Sequence, residues 1–207
     1  MFFLPFITGI IEPNFPTPSE NFETTSSIII SSDRSEIWKN IVRVAEIKDT
    51  EYKKGFFNYA GIPRPLYAEL NKDTLGGIRV GHFDGGLKFE EKIINWNKEK
   101  SVTFDIKIIP STTNTTIFER HMFNGEHFKF LNATYKLENI NNSQTKLLLT
   151  TQYQLDTKIN FYGQFWGRQL LTDFQCRLLS VIKNRCENNH PLTSVLQIWL
   201  GTEQTRL

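Results

Sequence analysis

Two charged residues set in an apolar alternation are the clearest chemical feature of this chain. In LKFEEKIINW, Leu87, Phe89, Glu91 and Ile93 share one face of an extended segment, and Lys88, Glu90 and Lys92 share the other. The lysine-bearing face belongs to solvent, so Glu91 points inward among hydrophobic side chains. Gly85 and Gly86 predict a tight hairpin just before this strand, which sets Arg79 opposite Glu91. An isolated buried charge is costly, so each of the two requires the other. The pair reads either as a structural ion pair or as a polar anchor for the head group of a ligand. If the protein is an enzyme, Glu91 is the candidate general acid or base, with Tyr153 as the second group.

Further candidates follow from the same parity. Thr145, Leu147, Leu149, Thr151, Tyr153 and Leu155 fall on one inward face, so Thr151 and Tyr153 can present hydroxyls to an interior space. Phe104 and Ile106 belong to the inner wall of another strand, with Phe128 and Phe130 beside them. Near the end of the chain, INFYGQFWGRQLLTDFQCRLLSVIKNR predicts a helix over about 160–188. Glycine costs a helix interior about 1 kcal/mol relative to alanine, and Gly163 and Gly167 sit one turn apart. Either a neighbour packs against the helix backbone there, or the helix lines a space. On the second account Tyr162, Trp166 and Gln169 face a cavity; simple core packing is the competing account of the aromatic residues.

Composition narrows the classes of function. The chain has 207 residues, 24 Lys+Arg against 22 Asp+Glu, and a net charge of +2, without the basic face of a nucleic-acid binder. Its 17 phenylalanines fill a core or line an apolar pocket. Cys176 and Cys186 lie ten residues apart on the last helix, a rise of about 15 Å, beyond the reach of a disulfide. Reduced thiols point to a cytoplasmic setting. The sequence has no HExxH, CxxC, P-loop or GxSxG, and its four histidines are scattered, so no metal or cofactor is expected. His82 has the opposite parity from Arg79 and reads as a surface or edge residue.

Residues 1–24 read as an apolar arm followed by a proline-rich linker. The arm, Phe2–Ile11, is too short for a membrane span, which needs about 20 residues, and lacks the basic start of a signal peptide. Membrane association through this arm is the alternative to a cytoplasmic location. Residues 25–188 form the domain and 189–207 a tail, in which Val195–Leu200 is a second apolar element. The oligomeric state is not legible.

The elements that must position these residues are also readable. A first strand is predicted over 25–31. Asp33 with Glu36 forms a capping box that opens a helix, and a second helical piece covers 49–58. Six strands follow, at about 66–70, 77–83, 88–96, 102–109, 128–138 and 146–154, and then the long helix. A polar loop over 110–125 can cover an opening. Short turns imply an antiparallel sheet, and Leu171, Phe174, Leu178 and Ile182 form the helix stripe that must pack on it.

This order, β-α-α-six β-α, together with SSIIISSDRSEIW, Gly61-Ile-Pro-x-Pro65, Gly76-Gly-x-Arg79-x-x-x-Phe83, Phe89-x-Glu91-x-Ile93-x-x-Trp96, Phe104, LLLTTQY and Tyr162-x-x-x-Trp166, resembles the SRPBCC superfamily over about 25–187. That superfamily includes START, Bet v 1-like and polyketide cyclase/dehydratase-like proteins. The resemblance implies an α+β helix-grip fold, a curved antiparallel sheet wrapped around the long C-terminal helix with an apolar cavity between. It implies binding or carriage of an apolar small molecule, a lipid or an aromatic metabolite. A cyclase/dehydratase-like enzyme and a membrane-proximal interaction domain are the alternatives, because the fold hosts binders and enzymes alike.

Overall fold

The computed structural model describes residues 19–59, 63–109, 128–141, 143–156 and 160–188, apart from the side chains of 56–57 and 160–162. The elements run β1 (Glu20–Ile30), α1 (Arg34–Val42), α2 (Phe56–Tyr59), β2 (Pro65–Leu70), β3 (Ile78–Phe83), β4 (Lys88–Asn97), β5 (Ser101–Ile109), β6 (Phe128–Asn141), β7 (Gln144–Leu155) and α3 (Asn160–Asn188). The described strands form one antiparallel sheet in the order β1-β7-β6-β5-β4-β3-β2. Consecutive strands β2 to β7 pair as hairpin neighbours, and β1 returns to pair with β7. The sheet curls into a half-barrel with α3 against its inner face: a helix-grip α+β fold.

Local chemistry accounts for the boundaries. The Asp33 side chain accepts the Glu36 N–H at 2.9 Å and caps α1, whose Ile37, Trp38, Ile41 and Val42 are buried. Between β3 and β4 the chain turns through a short 3₁₀ segment, Asp84–Gly86. Gly85 and Gly86 have φ of 73° and 82° there, a conformation that side chains with a Cβ rarely adopt. The first strand begins at Glu20, five residues before the predicted start, because β7 offers partners as far as Leu155. The helix expected over 49–58 contracts to Phe56–Tyr59. Tertiary contacts override local propensity here: Val44 forms an antiparallel bridge with Ala68, and Arg185 of α3 donates to the carbonyls of Ala45 and Glu46.

The main core lies between α1, α3 and the sheet, centred on Ile30, Ile37, Ile41, Phe104, Leu147, Leu179 and Ile182. Three side chains of α3 also reach the backbone of the edge strand β1 and of Ser31 just after it. Gln175 Nε2 donates to Thr24 O (3.0 Å), Lys183 Nζ donates to Ile29 O (2.8 Å), and Glu187 Oε1 accepts from Ser31 N (2.8 Å). Cys176 is exposed and Cys186 buried, and both are free thiols. No described helix is long and apolar enough to cross a membrane. The 110–125 loop, the N-terminal arm and the C-terminal tail lie outside the described residues.

Candidate functional site

The β3–β4 hairpin delivers the expected pairing: Arg79 stands opposite Glu91 in the register. Arg79 Nε donates to Glu91 Oε2 at 2.5 Å, and Arg79 Nη1 donates to Ile41 O at 2.6 Å. The guanidinium lies 3.8 Å from the centre of the Phe104 ring and 5.6 Å from that of Tyr135. Arg79 is 4 % exposed and Glu91 7 %. Burial alone would lower the Arg79 pKa, but the Glu91 carboxylate and Tyr135 more than offset it and hold it above the ordinary value. Burial likewise raises the Tyr135 pKa, with Arg79 opposing.

This cluster forms part of the wall of a pocket of about 110 Å³ between the sheet and α3. Its apolar lining includes Phe83, Leu87, Phe89, Ile106, Phe130 and Phe174. Phe89 packs against both Phe83 and Phe130, with ring centres 4.6 Å and 5.4 Å away. Arg79, Glu91, Tyr135, Thr151 and His82 supply the polar part of the lining. His82 is half-buried and stacks on Tyr67 at 4.2 Å. Behind Thr151 runs a buried network: Gln175 Nε2 donates to Thr151 Oγ1 at 2.9 Å, and Ser26 Oγ donates to Gln175 Oε1 at 2.8 Å.

Of the residues singled out from the sequence, Arg79, Phe89, Glu91, Ile106 and Thr151 border this pocket. Phe104 sits beneath the Arg79 guanidinium and outside the lining. Tyr153 also lies outside it. Its ring stacks on Phe128 at 5.2 Å, and burial raises its pKa. Trp166 and Gln169 require correction, because both are exposed on α3. The buried stripe of the helix runs through Gly167, Leu170, Leu171 and Leu178, and each residue's advance of about 100° carries 166 and 169 off it. The glycine puzzle resolves toward packing at Gly167: a Cβ there would lie 3.3 Å from Tyr153 Cε2, so Tyr153 fills the space. Tyr162 belongs to α3, and its side chain lies outside the described residues.

Tyr135 was not foreseen. Alternation from Phe128 and Phe130 points to the even positions of β6, but the register shifts between Phe130 and Asn132, and beyond that point Ala133, Tyr135 and Leu137 are the buried residues. One extra residue in a strand inverts its parity from there on. Phe174 belongs to the helix stripe read from the sequence, and the structure makes it pocket wall together with Leu170, which that stripe did not include.

No protein-family model matches the sequence, and no curated protein matches it. Solved structures do. Norcoclaurine synthase from Thalictrum flavum matches with a TM-score of 0.51 at 10% identity, over 82% of this chain and 96% of that one. The Zhui aromatase/cyclase from Streptomyces sp. R1128 matches with a TM-score of 0.51 at 11% identity, over 84% of this chain and 98% of that one. At such identities the likeness concerns the fold and leaves the chemistry open. Sheet order, the grip on α3 and these two likenesses agree: the chain has a helix-grip fold, of the kind the sequence resemblance implies.

Proposed function

We propose that this protein binds an apolar small molecule, a lipid or an aromatic metabolite, in the pocket between α3 and the sheet. The observation that carries this reading is an aromatic-lined pocket with a buried Arg79–Glu91 pair in its wall. Apolar burial, at about 25 cal/mol per Å², supplies most of the affinity. Arg79 already serves Glu91 and the Ile41 carbonyl, so Tyr135, Thr151 and the second Glu91 oxygen orient the ligand. Ligand pockets commonly span about 300–1,000 Å³, whereas an apolar cavity of about 150 Å³ takes one benzene ring. The pocket of about 110 Å³ therefore suits one small ring or the leading end of a longer molecule.

The two solved structures described above bear enzyme names. A cyclase/dehydratase-like reaction here would route acid–base chemistry through Glu91 and Tyr153. Glu91 borders the pocket and Tyr153 does not, which favours binding over this particular pairing. Native mass spectrometry of gently purified protein, followed by thermal shift with indole and toluene, tests the binding reading. A retained apolar compound, or a raised melting temperature that Phe89→Ala abolishes, supports it. An empty protein that responds to neither probe overturns it.

A further inference from the structure

We infer that the pocket selects one chemical class, an apolar ring carrying a neutral O–H or N–H donor, and that Glu91 reads the donor; this rests on the binding reading above. The two members of the buried pair differ in what they have left to offer. Arg79 is fully engaged. Its Nε donates to Glu91 Oε2, its Nη1 donates to Ile41 O, Tyr135 accepts a further bond from it, and its guanidinium face covers Phe104. Glu91 keeps one oxygen in reserve. Oε2 meets Arg79, whereas no described residue donates to Oε1. Among the described residues, the occluded side-chain nitrogens and oxygens without a partner are Thr24 Oγ1 and Arg34 Nε, so Glu91 Oε1 is reachable. Glu91 is buried and borders the pocket, so the pocket is what reaches it.

A carboxylate facing a guanidinium accepts hydrogen bonds and donates none. A donor on the ligand therefore completes Glu91, whereas a methyl group in the same place leaves Oε1 unbonded. Hydrogen bonds to a charged acceptor are the stronger kind. Charge on the ligand is disfavoured with either sign. A ligand carboxylate would face Glu91 directly. Arg79 already neutralises Glu91, so an ammonium would add an unmatched buried charge. His82, the other basic side chain of the lining, lies three residues along β3 from Arg79, about 10 Å away, and stacks on Tyr67.

Phenol and toluene provide the test, because they exchange a hydroxyl for a methyl on the same ring. Titration calorimetry with the 207-residue chain should find phenol the tighter ligand by about threefold or more, since a bond to a charged acceptor outweighs the burial of one methyl. Benzoate and benzylammonium should each bind about tenfold more weakly than phenol. Glu91→Gln keeps an oxygen for Arg79 and turns an NH2 toward the pocket, so the order should reverse and toluene become the tighter ligand. Far-UV circular dichroism and the melting temperature report whether that variant is folded; the wild-type order decides by itself if it is not. Toluene binding to the wild type as tightly as phenol, or more tightly, overturns the inference and leaves the binding reading standing. Benzoate or benzylammonium matching phenol overturns it too, as does a folded Glu91→Gln variant that still prefers phenol. Binding of none of the four compounds overturns the inference and the binding reading together.

Discussion

Arg79 and Glu91 depend on each other more than the fold depends on either. Breaking a buried pair strands a charge and costs about 3–5 kcal/mol, whereas replacing both members with apolar groups is often neutral. Glu91→Ala should therefore lower unfolding stability by about that amount, and Arg79→Met with Glu91→Leu by much less, as read by urea denaturation. If the single and double variants lose equal stability, the pair is not coupled. Cys186 offers a titration at the same scale. Burial pushes its thiol up to about 12. The unfolded thiol ionises near pH 9 while the folded one keeps its proton, so stability falls by about 1.4 kcal/mol per pH unit between about 9 and 12. Cys186→Ala should flatten that slope, and in the native state a thiol reagent should label the exposed Cys176 first. Strand alternation revealed Arg79 and Glu91 because the β3–β4 hairpin is regular across them. It concealed Tyr135 because the register shift in β6 leaves no mark in the sequence that parity can detect.

Helix α3 holds the rest of the molecule together through buried and surface contacts along its C-terminal half. Gln175, fully buried, ties β1 to β7 through Ser26, Thr24 O and Thr151. Gln175→Leu would leave the buried hydroxyls unpaired and should cost about 1–3 kcal/mol in a denaturant melt, with secondary structure retained. Further along, Arg185 binds Glu51 and two loop carbonyls. That contact lowers the Glu51 pKa to about 2. A depressed carboxylate stabilises the fold above its unfolded pKa, so this contribution is lost as pH falls from about 4.5 to about 2. Glu51→Gln should remove that part of the acid dependence; an unchanged acid limb would mean the contact has no thermodynamic weight. Part of the helix predicted over 49–58 is replaced by a turn at 49–51, where Arg185 holds Glu51 from a position remote in sequence. Helix α3 was legible over about 160–188, since its apolar stripe is long. The direction of Trp166 was not, because an aromatic-rich turn looks equally apolar on either side.

At the scale of the whole molecule, a pocket of about 110 Å³ limits what enters without rearrangement. A ligand larger than one ring that enters whole must displace α3 or the segment carrying Val44 and Ile47, both of which line the pocket. Amide exchange in those segments should then slow on binding a long-chain ligand and stay unchanged with toluene; equal protection by both ligands would mean the pocket is already open. The half-barrel has a further consequence at its β1 edge. An open sheet edge is a template for another chain, and long edge strands are where folded proteins begin to aggregate. Here Lys183 and Glu187 bond Ile29 O and Ser31 N, two backbone groups of like parity at the end of that edge that an incoming strand would need. Guarding a border against self-recruitment is thus a second duty of the helix that the sheet grips. Lys183→Ala with Glu187→Ala should therefore speed aggregation, as read by light scattering, more than it lowers the melting temperature.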